Sequence, residues 1–281
     1  MITTTNKNQA VQEYWDTRPC NIRHSSAPYL SKQYFDEVEA KRYRVESHIP
    51  GFANFDAWKG KKVLEIGCGI GTDSIRFARA GAHLTVVDVS QKSLDICRER
   101  FSIYGETARF YHCDAEHLQT VVPIEAYDLI YSFGVIHHTS DPATVVKQLQ
   151  AYTHAETQLR VMLYSKLSWK LFWLMMETNH TEIQDIDNVI RIHSEAQTNC
   201  PVTWTYTFEE AKALMAQGGF VVTEIWKDHI FVYDIEPYKN GEYVRDKYWR
   251  GVSDSLLRDF KRELGWHTLV IAVPEKTLAL E

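Results

Sequence analysis

Short apolar, β-branched runs alternate with helical stretches through the middle of the chain. Lys62–Ile66 is such a run, of the kind that forms a buried parallel strand. It stops at Gly67, Gly69 and Gly71, and Thr72 or Asp73 then caps an amphipathic helix to about Ala80. His83–Val87 predicts a second strand ending at Asp88, followed by a helix from Ser90 to about Tyr104. Arg109–Cys113 predicts a third strand ending at Asp114, and Tyr127–Phe133 a fourth ending at Gly134. A helix from Asp141 to about Thr153 and a fifth strand over Gln158–Tyr164 follow. This repetition predicts right-handed crossovers and an α/β, doubly wound, mostly parallel sheet with helices on both faces. Ligands sit outside the carboxyl ends of the strands in such sheets. Gly67, Asp88, Asp114 and Phe133 fall there.

The flanks break the pattern. Residues 1–58 read as an N-terminal helical arm, 59–165 as the core, 166–205 as an inserted lid, and 206–275 as a return to the sheet. Tyr14, Trp15, Arg18, Cys20, Asn21, Arg23, His24 and Ser25 crowd around Pro19. A core element of that composition would leave polar groups unpaired. The segment is therefore an arm laid over the domain with Trp15 as anchor, or one from which Arg23 or His24 reaches into a site and binds a carboxylate. Arg23 is assigned to the cofactor side, Tyr14 and His24 to the acceptor side. Lys166–Met176 is a helix with apolar residues almost all round. It reads as a lid on the site; a membrane-surface or lipid-substrate helix is the alternative, with only Lys166 and Lys170 as a basic face.

Composition narrows the choices. A chain of 281 residues with 44% hydrophobic residues can bury a large core. The formal charge is −6 and the longest basic block is Lys41-Arg42-Tyr43-Arg44, so the electrostatic footprint of a nucleic-acid binder is missing. Cys20, Cys68, Cys97, Cys113 and Cys200 are odd in number and show no paired spacing. That argues against a disulfide framework and a zinc site, and for a reduced cytoplasmic setting; no metal is expected. The N-terminus lacks an apolar signal core, and the longest apolar run, Leu171–Met176, is too short to span a bilayer, so no integral membrane association is expected. A monomer and a homodimer both remain open.

The strand ends carry the chemistry. Asp88 lies 21 positions after Gly67, near the roughly 20-residue spacing at which an acidic residue holds a ribose diol. Asp114 can accept from the exocyclic amine of an adenine; either aspartate has a helix or loop cap as its bland alternative. Gly67-Cys-Gly69-Ile-Gly71 is G-x-G-x-G, whereas a dinucleotide fingerprint would put its third glycine at Thr72. Glu65, just before the turn, is unfavourable beside a pyrophosphate and favourable beside a cation. The pattern thus asks for a ligand with a ribose, an adenine, a positive charge and no pyrophosphate, and S-adenosylmethionine fits all four. Cys68 reads as a small residue of the turn and not as a nucleophile, since no base partner is positioned for it.

Val63-Leu-Glu-Ile-Gly-Cys-Gly-Ile-Gly-Thr72 resembles the first motif of the class I S-adenosylmethionine-dependent methyltransferases. Val86-Val-Asp-Val-Ser90 resembles their second motif, and His112-Cys-Asp-Ala115 their third. Tyr127–Pro142 is similar to the fourth strand and its loop in the small-molecule branch of that family. The resemblance implies a Rossmann-like, seven-stranded sheet closed by an antiparallel pair, for which Phe220–Trp226 and Thr268–Val273 are available. It implies that Gly67, Cys68, Gly69 and Gly71 pack against the methionine part and that Glu65 orients a group near its amine. Asp88 with Val89 would hold the ribose, Asp114 with Ala115 the adenine, and Phe133 would line the methionine end.

The expected reaction is in-line transfer of a methyl group to an oxygen or nitrogen of a small-molecule acceptor. His137 and His138, after the fourth strand, are candidate general bases. Tyr164, His193, Trp204, Asp228, His229 and Tyr233 are candidate walls of the acceptor pocket. A peptide, protein or lipid-linked acceptor stays open, and so does a nicotinamide-dependent oxidoreductase, which the glycine spacing and Glu65 disfavour.

Overall fold

The structure, a computed structural model, describes residues 4–178, 189, 190, 192 and 200–275. The expected strands form one seven-stranded sheet in the order β3-β2-β1-β4-β5-β7-β6. The strands are β1 Lys62–Ile66, β2 His83–Asp88, β3 Arg109–His112, β4 Leu129–Phe133, β5 Gln158–Tyr164, β6 Phe220–Asp228 and β7 His267–Pro274. The first five run parallel, and β7 lies antiparallel between β5 and β6. Chain order doubles back at β1, where the sheet grows to β2 on one side and to β4 on the other. A crevice opens at such a reversal, above the carboxyl ends of β1 and β4.

Helices cover both faces. In chain order they are α1 Thr4–Thr17, α2 Lys32–Val45, α3 Ile49–Ala53, α4 Thr72–Arg79, α5 Gln91–Tyr104, α6 Leu118–Val121, α7 Pro142–Leu149, α8 Trp169–Thr178, α9 Phe208–Gln217, α10 Ile235–Lys239 and α11 Asp254–Leu264. Alternation along the strands sends neighbouring residues to opposite layers. Val63, Val86 and Leu129 pack with Phe52, Ile75, Phe77 and Phe101 on one face. Leu64, Ile66 and Ile130 pack with Val145, Leu149, Ala211 and Met215 on the other. The capping box expected at the start of α9 is present, with Thr207 and Glu210 bonded reciprocally.

The start of α4 differs from expectation. Its N-cap is Gly71, with no side-chain cap, and Thr72 and Asp73 lie buried inside the first turn. Both are drawn into tertiary bonds instead: Arg100 donates to Thr72 Oγ1 at 2.8 Å, and Arg42 to Asp73 Oδ2 at 3.1 Å.

The N-terminal segment lies against the core. Tyr34, Phe35 and Val38 of α2 are buried with Ile70 and Ile96, fixing α2 over α4 and α5. Leu171 and Leu174 of α8 pack with Ile190 and Trp266, which sets α8 beside the end of β7. Among the described residues no helix is long and apolar enough to cross a membrane.

Candidate active site

A cavity of about 1150 Å³ opens over the carboxyl ends of β1, β2 and β4. The glycine turn forms its floor, and its walls come from α1, α8 and the segment after β6.

Each glycine of the turn is needed for a different reason. Gly67 and Gly69 adopt φ of +79° and +50°, the left-handed region where a side chain is strained. A Cβ on Gly67 would lie 2.1 Å from Val135 Cγ2, so the turn must be bare there for the loop after β4 to close on it. Gly69 meets nothing within 4 Å, because its open side faces the cavity. Gly71 does not line the cavity; a Cβ there would lie 2.5 Å from Cys97 Sγ, so this glycine lets α4 pack on α5.

Two carboxylates organise the strand ends. Asp88 accepts the Gly69 N–H at 2.9 Å and the Ser90 N–H at 2.8 Å, tying the turn to the start of α5, whose N-cap is Ser90. Burial raises its carboxyl above the usual range, and it lines the cavity together with Val89. Asp114 accepts the Glu116 N–H at 2.9 Å through Oδ1. Its Oδ2 accepts the side-chain amide of Asn8, from α1, at 2.8 Å. Asp114 and Ala115 line the adjoining wall.

Glu65 lies on β1 between Val86 and Tyr131, 3% exposed, and its Oε2 has no hydrogen-bond partner. Burial first, and the negative charge of Asp73 second, push its carboxyl up to about 8. Asp73 itself is fully engaged: besides Arg42 it accepts from Tyr43 Oη at 2.9 Å and Tyr131 Oη at 3.0 Å. Arg42 in turn lies 5.5 Å from the Phe133 ring. The result is one charged, bonded carboxylate beside one buried carboxyl oxygen directed at a cavity, the arrangement that favours a bound cation. Cys68 lines the same wall, and burial raises its thiol well above its ordinary value, so it is not a nucleophile at neutral pH.

The two adjacent histidines separate. His138 faces the cavity, with Nδ1 2.9 Å from the Val202 carbonyl and the Trp15 ring edge-on at 5.2 Å. Donation to that carbonyl puts the proton on Nδ1 and makes Nε2 the basic nitrogen. His137 is fully buried under the Tyr164 ring, at 3.8 Å between centroids, and burial lowers its pKa well below the usual value. It does not line the cavity and is not placed to take a proton from a ligand there.

Other expected site residues divide in the same way. His24, Phe133, Tyr164, His229 and Tyr233 line the cavity. Arg23 does not; it is exposed, because the turn at Asn21, with φ of +64°, sends His24 inward and its neighbour out. Tyr14 stays outside, against Trp15 and Arg18. Trp204 is 38% exposed and its indole donates to the Thr139 carbonyl at 3.1 Å, pinning the loop rather than facing the cavity. Asp228 lies behind the wall, accepting the His229 N–H at 2.6 Å. His193 falls outside the described residues. Sequence reasoning missed Asn8, Arg42, Glu46 and His267 on this cavity; each comes from a segment with no motif of its own.

Residues 63–155 match the family described as a methyltransferase domain. This stretch, about a third of the chain, carries a methyltransferase domain. The domain is 37% identical over 87 residues to the ubiquinone biosynthesis O-methyltransferase of Aromatoleum aromaticum, covering 31% of this chain and 37% of that one. The Actinobacillus pleuropneumoniae enzyme of the same name is 33% identical over 33% of this chain and 41% of its own length. The chain thus spans about two fifths of the curated relatives it matches. In fold, it is similar to magnesium protoporphyrin IX methyltransferase from Synechocystis PCC 6803 with bound SAH. The TM-score is 0.58 at 16% identity, over 95% of this chain and 99% of that one. An S-adenosylmethionine dependent methyltransferase from Mesorhizobium loti aligns at TM-score 0.54 and 14% identity, over 81% of this chain and 97% of that one. At these identities the structural likeness speaks for the fold; the family match lies on the strands that build the cavity floor.

Proposed function

We propose that the chain binds S-adenosylmethionine in this cavity and transfers its methyl group to an oxygen or nitrogen of a small-molecule acceptor. The observation that carries the reading is the buried, unpartnered Glu65 carboxyl oxygen beside the open face of Gly69. A protein that leaves such a carboxyl uncompensated binds a cation there, and the cofactor's ammonium and sulfonium supply one. Asp88 and Asp114 line the same cavity, which supports their expected roles toward the ribose and the adenine. The relatives' names, both O-methyltransferases, favour oxygen as the acceptor atom.

In the reaction, the acceptor lone pair forms the new bond to the methyl carbon as the sulfur–carbon bond breaks, and the electron pair returns to sulfur. Phe133 and Tyr164 border the space where the methyl would point, and their rings exclude water. His138 Nε2 is the group placed to accept the acceptor's proton. Alignment of acceptor and methyl is the larger contribution, because the methyl is already activated.

Calorimetry with S-adenosylhomocysteine tests the binding half: a single site per chain is expected. Binding of NAD with none of S-adenosylhomocysteine would reverse the reading. Label transfer from S-adenosylmethionine to a panel of hydroxylated and amino small molecules tests the chemistry.

A further inference from the structure

Beside Phe133, three segments bring metal-binding side chains together. Glu46 caps the end of α2, His229 follows β6, and His267 begins β7. One ligand atom from each lies within 4.8 Å of the other two, and all three residues line the cavity. The His267 ring centroid is 5.6 Å from that of Phe133.

We infer that Glu46, His229 and His267 form a binding site for a divalent transition-metal ion at the acceptor end of the cavity.

The bonding around the histidines supports this. His267 Nδ1 is 3.0 Å from His48 Nε2, and His48 Nδ1 is 3.9 Å from Asp228 Oδ1. With the shared proton on His267 Nδ1, its Nε2 lone pair points to Glu46, whose Oε1 is 3.8 Å away. A ligating histidine is commonly oriented in this way, by a hydrogen bond from its other ring nitrogen. His229 stacks on His267 at 4.5 Å and is 8% exposed, and its Nδ1 is buried without a partner. Of the nearby cations, Arg42 pairs with Asp73 at 3.1 Å and also lies 3.9 Å from Glu46 Oε2, leaving Glu46 Oε1 toward His267, and Lys261 lies 3.8 Å from Asp228.

Two imidazoles and one carboxylate suit zinc, iron, cobalt or nickel rather than magnesium or calcium, which prefer oxygen-only sets. Ligand atoms about 2.1 Å from an ion sit about 3.4 Å apart in tetrahedral geometry. The present edge of 3.8 Å between His267 and Glu46 therefore closes by about half an ångström on binding. Three protein ligands leave at least one position open to the cavity. An acceptor hydroxyl bound there would give up its proton more readily, which would prepare the oxygen that attacks the methyl. That role rests on the methyl-transfer reading; the metal site itself does not.

The test uses the full chain, stripped with EDTA and titrated with Co²⁺ while its ligand-field absorption is followed. Zn²⁺ content is measured in parallel by mass spectrometry. One ion per chain is expected, with affinity lowered at least tenfold in Glu46→Gln and in His229→Gln. Melting curves and circular dichroism identify folded variants, and Glu46, 20% exposed at its side chain, is the substitution least prone to misfolding. A wild-type chain that takes up neither ion, or folded Glu46→Gln and His229→Gln with unchanged Co²⁺ affinity, overturns the inference. S-adenosylhomocysteine calorimetry on the same sample separates the two readings. Cofactor binding without metal binding removes the metal site alone; metal binding without cofactor binding removes the methyl-transfer role and leaves the site.

Discussion

Asn8 and Asp114, 106 residues apart, are joined by a 2.8 Å bond from the Asn8 amide to Asp114 Oδ2. The same amide lies 3.1 Å from Glu116 Oε2. An amide N–H thus takes the carboxylate oxygen that an adenine amine would need, so α1 closes the adenine end in competition with the cofactor. Asn8→Ala removes a competing hydrogen bond of about 1 kcal/mol. The expected outcome is S-adenosylhomocysteine binding about fivefold tighter by calorimetry. Weaker binding would show that Asn8 contacts the ligand instead.

Glu65 makes cofactor affinity pH-dependent. Its carboxyl titrates near 8 in the folded chain, so a cationic ligand meets a charged partner only above that pH. Affinity for S-adenosylhomocysteine, which keeps the ammonium group, should fall by up to about tenfold per pH unit below 8. A pH series of titrations checks the slope, and Glu65→Gln should flatten it.

The same residue should leave a mark on stability. Unfolded, Glu65 ionises near 4.5; folded, it keeps its proton to about 8. Between those values the folded state binds the extra proton, so stability falls as pH rises through the window. The melting temperature of Glu65→Gln should rise relative to the parent from pH 5 to 8 and then level off. A constant difference across that range would contradict the assignment.

Gly67 and Gly69 should fail differently. Gly67→Ala drives a methyl into Val135, so the fold suffers along with binding. Gly69→Ala has room, and its φ of +50° costs about 1 kcal/mol. Its melting temperature should drop by a few degrees, while S-adenosylhomocysteine affinity falls more than tenfold because the methyl points into the cavity. Equal losses of stability in the two variants would contradict this division.

For the histidine pair, His138→Ala should lower kcat at least tenfold with cofactor affinity kept. His137→Ala, which empties the space under Tyr164, should cost about 2–4 kcal/mol of stability before it affects chemistry. Melting curves and turnover measured on both variants separate the roles.

Features set by neighbouring residues are legible in the sequence. Lys62–Ile66 and Gln158–Tyr164 have the predicted bounds, because a strand buried on both faces shows as a mostly apolar run, here interrupted only by Glu65 and Arg160 inside its ends. Ser90 and the Thr207–Glu210 box cap their helices as expected, since a cap needs only residues three apart. Asp73 differs for the opposite reason: a carboxylate in a first helical turn looks like a cap until Arg42, Tyr43 and Tyr131 arrive from elsewhere. Arg23 and His24 are neighbours in the chain, and only the turn before them decides which one enters the cavity.

The order of strands, the glycine turn and the acidic residues at the strand ends follow from short-range pattern, because each depends on a few consecutive residues and on the handedness of the crossover. The acceptor end does not. His48 and His267 meet across 219 positions, and Glu46 joins them from the end of α2. Nothing in their spacing announces that contact; it exists because β7 inserts antiparallel beside β5 and carries His267 to the mouth of the sheet. Local chemistry specified a seat for the cofactor, and long-range packing decided what faces it.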